Sequence, residues 1–189
     1  MKFEFEFLER AKKSGYHAQI HSVESTSINK SYKNLTKESI TQKASERKYS
    51  ISLEKDGKKS HRSIVDTGDI DCDKIFLEMS TLCEIATQDT AESLPVITDN
   101  IEWSALYFNE EELENWTQNT YLKVLEDLTI TSQYRGILEN NLLFDEIDIE
   151  TISIGGSISH KHLVSTYGAN KSSHNSYASV TLGLHGKIG

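Results

Sequence analysis

The fold is decided by the stretch Tyr49-Ser50-Ile51-Ser52-Leu53-Glu54-Lys55-Asp56-Gly57-Lys58. Apolar and polar residues alternate through its first half, and this period of two predicts a half-buried strand. Asp56-Gly57 then predicts a tight hairpin turn, because both central residues of such a turn need positive φ. The return strand is predicted over residues 59–65. An antiparallel sheet is therefore the expected centre of the fold.

Toward the amino terminus, residues 16–29 are rich in β-branched and polar residues and predict a strand, and residues 39–44 predict a weaker one. Residues 3–14 predict a helix that ends at Gly15, where a glycine can adopt positive φ. The apolar residues at helical spacing are Phe3, Phe7, Leu8 and Ala11. The phenylalanines of this stretch also alternate, so a short strand remains the alternative to the helix.

Toward the carboxy terminus, Asp69 or Asp71 is expected to cap a second helix. Its predicted buried face holds Ile75, Phe76, Met79, Leu82, Cys83 and Ala86. Residues 88–108 lose periodicity and contain the one proline of the chain, so they are the predicted linker. Asn109 with Glu112 three positions later predicts the start of a third helix, because the two residues can cap each other's backbone.

The chain turns to strand from Asp145, with a change of parity near residues 150–151 that suggests a bulge or a change of face. Two more strands are predicted at 163–167 and 177–184, joined by a polar and mobile loop at 168–175. The residues expected to face inward in the last strand are Ala178, Val180, Leu182 and Leu184. The predicted fold is α+β, a mainly antiparallel sheet with about three helices packed on it, in the order helix, strands, helix, linker, helix, strands.

The 189 residues are enough for one sizeable core or for two small lobes that share a sheet. The net charge of −9 argues against nonspecific nucleic-acid binding. Residues 30–62 nevertheless carry a net charge of +6, which leaves −15 on the remainder. This basic stretch is either a lysine-rich outer strand face that deters edge pairing, or a docking face for an acidic partner or peptide.

The sequence predicts a soluble protein of the cytoplasm. No apolar run approaches the roughly 18 to 20 residues that cross a bilayer. Residues 1–7 alternate charge with phenylalanine, which excludes a secretory signal. Cys72 and Cys83 define neither a disulfide framework nor a zinc ribbon, so a reducing compartment is expected, and both are expected to be structural residues on an apolar helix face.

No complete catalytic or metal motif is found. The chain lacks the His-Glu-x-x-His motif of zinc peptidases, the P-loop and the G-x-S-x-G elbow. His160 and His162 share one strand face and could supply half of a metal site, with His174 or Asp145 as a third ligand. The alternative is a pair of exposed histidines near a strand end. We therefore predict no catalytic residue and no metal, and His160 and His162 are the candidate ligands if a metal binds.

Two stretches resemble the amino-terminal domain of the TldD/PmbA family, once described as modulators of DNA gyrase. The first is Phe7-Leu8-Glu9-Arg10-Ala11-Lys12-Lys13-Ser14-Gly15-Tyr16-His17-Ala18-Gln19-Ile20, which is similar to the family's opening helix, glycine and strand. The second is Val164-Ser165-Thr166-Tyr167-Gly168 with Ser176-Tyr177-Ala178-Ser179-Val180-Thr181-Leu182, which resembles the family's paired strands and short turn.

The resemblance implies a protein roughly twice this length that acts as a homodimer or heterodimer and trims unfolded peptides. In the family the zinc motif of the catalytic subunit lies in a carboxy-terminal domain, and the partner subunit lacks it. Residues 1–189 are then a single amino-terminal domain without the catalytic domain. Zinc is expected only in that absent domain or in a partner subunit, and neither nucleic acid nor membrane is expected as a partner.

The leading hypothesis is a non-catalytic domain that guides extended peptide and contributes to dimerisation. The residues proposed to bind peptide or partner are Lys30, Lys33, Lys43, Arg47, Gly168, Asn170 and His174. One alternative is a free-standing peptide- or protein-binding accessory protein without peptidase activity. Another is an independent metal-dependent hydrolase that uses His160 and His162.

Overall fold

The structure, a computed structural model, describes residues 2–33, 39–88, 94, 109–130 and 146–187. Its elements are α1 (Lys2–Lys13), β1 (His17–Lys33), β2 (Ser39–Lys55), β3 (Lys58–Val65), α2 (Cys72–Ile85), α3 (Glu110–Ile130), β4 (Glu146–Ser165) and β5 (Asn170–Lys187). The predicted α+β class and its order of helices and strands are confirmed. The predicted linker at 88–108 lies outside the described residues, apart from Gln88 and Leu94.

α1 forms where the sequence allowed either a helix or a strand. Phe3, Phe7, Leu8 and Ala11 are all buried on one side of it. Phe5 is 49% exposed, whereas a half-buried strand would have placed it on the same face as Phe3 and Phe7. Gly15 follows the helix at φ 73°, as a terminating glycine does. The helix prediction is confirmed, and the strand alternative is wrong.

α2 begins after Asp71, whose side chain accepts a hydrogen bond from the backbone N of Lys74 at 3.0 Å. Its buried residues are Ile75, Phe76, Met79 and Cys83. Leu82 was also predicted to be buried, but it is 49% exposed. At 3.6 residues per turn, Leu82 is rotated away from the direction that Met79 and Cys83 share, so the predicted face was too wide.

α3 begins with the predicted reciprocal cap. The Asn109 side chain accepts a hydrogen bond from the Glu112 backbone N at 2.8 Å, and the Asn109 backbone N donates to the Glu112 carboxylate at 2.7 Å. Two backbone donors at the helix start are thereby satisfied. The acidic first turn also complements the positive end of the helix dipole.

Within the described residues the sheet has five antiparallel strands in the order β3-β2-β1-β4-β5. The hairpin between β2 and β3 has Asp56 at φ 51° and Gly57 at φ 73°, as its sequence predicts. Its register pairs Lys55 with Lys58, next to the turn. β1 and β4 are neighbours although they lie far apart in the sequence, and the Thr166 backbone N donates to the Ala18 carbonyl at 2.9 Å.

The strands are longer than predicted. The two candidates at 39–44 and 49–54 are parts of β2, which has 17 residues. The mobile loop predicted at 168–175 is wrong, because β5 starts at Asn170 and only residues 166–169 connect it to β4. β4 runs as one strand from Glu146 to Ser165 through the site of the predicted bulge.

The inward orientation predicted for the last strand is also wrong. Val180 is 42% exposed and Leu182 is 44% exposed. β5 is the terminal strand of the described sheet, so its apolar side chains are flanked by one neighbouring strand only. The side chain of Leu184 lies outside the described residues.

The chain groups into two compact units, and the long strands contribute residues to both. Unit 1 contains Met1–Ser25, Glu46–Ala105 and Ser159–His174, and unit 2 contains Thr26–Ser45, Leu106–Ile158 and Asn175–Gly189. One boundary, between residues 105 and 106, falls within the predicted linker. The prediction of a single domain over residues 1–189 stays a prediction.

Each unit has its own core. In unit 1, α1 and α2 pack on the sheet, and the Phe7 and Phe76 rings meet edge to face with centroids 5.6 Å apart. In unit 2, Trp116 of α3 packs against two small clusters that together contain Ile28, Tyr32, Leu113, Ile152, Ile154 and Ile158. No helix in the described ranges is long and apolar enough to cross a lipid bilayer.

Candidate functional site

A concave pocket of about 220 Å³ in unit 1 gathers most of the ionisable candidates. We call it the imidazole pocket, and it is lined by Glu4, Ser22, Glu24, Arg47, His160, Lys161, His162, Ser172 and His174. Its lining residues come from α1 and from strands β1, β2, β4 and β5. Four of the residues singled out from the sequence therefore meet here, namely Arg47, His160, His162 and His174.

The histidines of this pocket have different neighbours. His160 lies against His174 of the neighbouring strand, with ring centroids 4.4 Å apart and planes at 86°. His162 instead has its Nε2 2.8 Å from the Asn170 Oδ1. Asn170 is thus a neighbour of the pocket, and Gly168, at φ 91°, forms the turn that sets the register of the two strands.

The charged groups of the pocket are largely matched to one another. The guanidinium of Arg47 donates to the Glu24 carboxylate at 2.5 Å, and this hydrogen bond raises the pKa of Arg47. Glu4 is buried in the first turn of α1, and burial alone would raise its pKa. Hydrogen bonds, including those from its own backbone N and from Ser22, outweigh burial and hold the pKa of Glu4 below its ordinary value. A buried carboxylate therefore stays ionised beside the imidazoles.

A second concave surface, of about 330 Å³, lies in unit 2. It is lined by Ser27, Ile28, Asn29, Ser153, Gly155, Gly156, Ser157, Tyr177, Ser179 and Thr181, and we call it the hydroxyl face. Ser179 donates to the Gly155 carbonyl at 3.4 Å. None of its lining residues is charged, so it offers neutral hydrogen-bonding groups beside the exposed ring of Tyr177.

The β5 edge, which we define as residues 175–183, borders the hydroxyl face. Tyr177 is 63% exposed, and Val180 and Leu182 are each more than two-fifths exposed. Because side chains alternate along a strand, Val180 and Leu182 share one face and Tyr177 lies on the other. The strand thus presents an apolar row at the terminal position of the described sheet. The sequence predicts this row as inward-facing, because alternation alone does not distinguish an edge strand from a central one.

The basic stretch at 30–62 meets acidic partners within the protein. Lys43 forms ion pairs with Glu110 and, at 3.2 Å, with Glu114 of α3. Arg62 forms an ion pair with Glu78 of α2. Lys30 and Lys33 on β1 belong to unit 2, and so does Lys43 on β2. Arg47, which is also on β2, belongs to unit 1. The proposed binding residues are therefore divided between the two units.

The cysteines have the environment of structural residues. Cys83 is buried, and its thiol donates to the Lys58 carbonyl at 3.1 Å. Burial raises the pKa of Cys83, and burial also raises the pKa of the half-buried Cys72. A thiol with a raised pKa is a poor nucleophile at neutral pH because the thiolate is scarce.

The donors of a multidentate metal site do not come together. Among the described side chains, no group of three or more histidines, cysteines, aspartates or glutamates is placed to hold a metal ion. Of the two third ligands named from the sequence, His174 meets His160, whereas Asp145 lies outside the described residues.

The fold has counterparts among solved structures. The five-stranded antiparallel sheet with its helices is similar in fold to TldE and to two proteins designated modulators of DNA gyrase. No protein-family model matches the sequence, and no curated protein sequence does.

Three of the solved structures that match this fold are described in turn. TldE from Thermococcus kodakarensis superposes with a TM-score of 0.65 at 13% identity, over 99% of this chain and 40% of its own. A protein of Thermotoga maritima designated a modulator of a DNA gyrase gives 0.62 at 14% identity, over 98% of this chain and 43% of its own. A protein of the same designation from Bacteroides thetaiotaomicron gives 0.58 at 15% identity, over 95% of this chain and 39% of its own. The chain thus spans about two-fifths of the length of these structures, and at such identities the likeness shows the fold.

Proposed function

We propose that this chain is a non-catalytic domain of a TldD/PmbA-type protein, and that it guides an extended peptide by accepting it as an added strand at the β5 edge. The observation that carries the proposal is the exposed apolar row of Val180 and Leu182 on the terminal strand of the described sheet. Terminal strands in native proteins usually carry charge or proline, because a bare apolar edge invites pairing with another chain. An edge that keeps apolar side chains therefore suits a recognition role.

Addition of a peptide strand supplies affinity for the peptide and tolerates many peptide sequences. Backbone hydrogen bonds between the edge and the peptide form with any sequence, and side-chain contacts are made at alternate positions. A bound strand would place every second side chain beside Val180 and Leu182, and the others toward Tyr177 and the hydroxyl face. The edge therefore favours peptides in which apolar and neutral polar residues alternate.

The proposal also covers the partners and the location of the protein. The domain would act within a homodimer or heterodimer of TldD/PmbA-type subunits in the cytoplasm, on peptides that are trimmed during maturation. Any zinc used in that cleavage would be bound by residues outside this chain.

Peptide binding can be tested by fluorescence anisotropy with a labelled unstructured peptide of alternating apolar and polar residues. Val180→Lys and Leu182→Lys should each weaken binding at least about tenfold, because lysine on an edge strand opposes pairing. Leu77→Lys is the matched control, since Leu77 is 67% exposed on α2 in unit 1 and should not affect affinity. Methylation of the peptide's backbone nitrogens should abolish binding.

Either of two results would contradict the peptide proposal. One is equal binding by the wild type and the two β5 variants, and the other is full affinity for the N-methylated peptide. Dimerisation is tested separately by sedimentation over a range of concentrations. A monomer throughout, together with no second TldD/PmbA-type subunit recovered by affinity purification, would contradict that part of the proposal.

A further inference from the structure

We propose that His160 and His174 together form a binding site for a borderline-soft divalent cation of the Zn²⁺ or Ni²⁺ kind. The site lies in unit 1, across the neighbouring strands β4 and β5. It is independent of the β5 edge in unit 2, so the peptide proposal and this one can fail separately.

The geometry brings two imidazoles within reach of one ion. A zinc–nitrogen bond is about 2.0–2.1 Å long, so two nitrogens that share an ion lie at most about 4.2 Å apart. The rings of His160 and His174 have centroids 4.4 Å apart and meet nearly at right angles. In the proposed site the two rings rotate so that one nitrogen of each faces the ion. The four-residue connection between β4 and β5 fixes this register.

The remaining histidine of the pocket is engaged elsewhere. The Nε2 of His162 lies 2.8 Å from the Asn170 Oδ1, next to the turn. In the proposed site the two imidazoles of His160 and His174 are the protein's donors. Water would complete the coordination, which leaves the ion with exchangeable positions and limits its affinity.

The surroundings favour a cation over an anion such as phosphate. Arg47, which would be the natural anion-binding group, is already hydrogen-bonded to Glu24. The carboxylate of Glu4 lines the same pocket and is buried. The two basic side chains of the lining, Arg47 and Lys161, are matched in number by the carboxylates of Glu4 and Glu24. Imidazole is a ligand that suits zinc, nickel and copper, whereas magnesium prefers oxygen ligands.

Calorimetric titration of the full chain with zinc chloride tests the site. We expect one equivalent to bind, and we expect His160→Ala and His174→Ala each to weaken binding at least about tenfold, which is 1.4 kcal/mol. His61→Ala is the matched control, because His61 lies on β3 within hydrogen-bonding distance of Ser50 and Ser52 and should leave zinc affinity unchanged. If an alanine variant loses its circular dichroism spectrum, His160→Gln and His174→Gln replace it, since they keep a polar side chain.

Competition with magnesium and titration with inorganic phosphate complete the test. A tenfold excess of magnesium over zinc should not displace the zinc, because magnesium binds imidazole poorly. Displacement by magnesium would overturn the proposal in favour of a carboxylate site, and so would zinc binding that survives both histidine substitutions. Inorganic phosphate that binds in a His160-dependent manner, without any zinc binding, would overturn it in favour of an anion site.

Discussion

Replacement of Gly156 by alanine tests the close packing of β4 in unit 2. A Cβ at this position would lie 2.4 Å from the carbonyl oxygen of Tyr177 and 2.7 Å from the Leu113 Cδ1. The first of these atoms belongs to the backbone of the neighbouring strand and cannot be relieved by a rotamer change. Leu113 is fully buried, so its side chain also has little room to move.

The expected change in the free energy of unfolding is the sum of two opposing effects. Inserting a group into a packed core costs about 1–3 kcal/mol, and two contacts this short argue for the upper end of that range. Alanine also lowers the entropy of the unfolded chain, which returns about 0.4–1 kcal/mol. We therefore expect Gly156→Ala to reduce the free energy of unfolding of unit 2 by about 2 kcal/mol.

Urea denaturation measures this loss with Trp116 as the reporter, in a Trp103→Phe background that leaves one tryptophan. Trp116 packs against the clusters of unit 2, so its fluorescence follows that unit. At a slope of about 2 kcal/mol per molar urea, the midpoint should fall by about 1 M. Ser157→Ala, at the next position, is the control and should stay within about 0.5 kcal/mol of the parent. A midpoint for Gly156→Ala that equals that of Ser157→Ala would refute the packing argument.

Three further perturbations have expected outcomes. Asn109→Ala removes the cap of α3 and should lower the free energy of unfolding by about 1 kcal/mol in the same fluorescence assay. Gln118→Ala, at an exposed position of the same helix, is the control and should change it by about zero. Gly57→Ala forces a side chain into φ 73° and should destabilise unit 1 by about 1–2 kcal/mol in urea melts followed by circular dichroism. Glu4 has a lowered pKa in the folded state, so its stabilising effect is present above about pH 4.3 and is lost as pH falls through its folded pKa. Glu4→Gln should therefore be less stable than the parent at pH 7 and should lose less stability on acidification.

The pH prediction has its own control and its own contrary result. Glu9 is exposed on the same helix and makes a 3.6 Å ion pair with Lys13, so Glu9→Gln should change the acid dependence little. A Glu4→Gln variant with an unchanged slope between pH 5 and pH 3 would show that Glu4 is not the group whose protonation weakens unit 1.

The features that the sequence predicted well are those set by a few neighbouring residues. The hairpin at Asp56-Gly57 depends on the backbone preferences of two residues. The cap of α3 depends on Asn109 and Glu112, which bond directly across three positions. In both cases the deciding energy is local, so no knowledge of the tertiary fold was needed.

The features that were predicted wrongly depend on neighbours distant in sequence. The polar run at 170–175 looked like a loop because an exposed edge strand and a loop have similar compositions. The outward placement of Val180 and Leu182 follows from the strand order, which their alternation does not encode. The candidate sites behave likewise: the contact of His160 with His174 is a consequence of register, and Glu4 was missed because nothing in its local sequence marks it as buried.

The strand order has a consequence for synthesis on the ribosome. β1 pairs with β2 on one side and with β4 on the other, yet β4 begins 113 residues after β1 ends. At about 5–20 residues per second, the second partner of β1 emerges roughly 6 to 20 s after the first contacts can form. During that interval β1 is itself an unprotected edge, although it is central in the finished sheet. The nascent chain is therefore prone to misassociation at a strand that pairs on both sides in the mature protein.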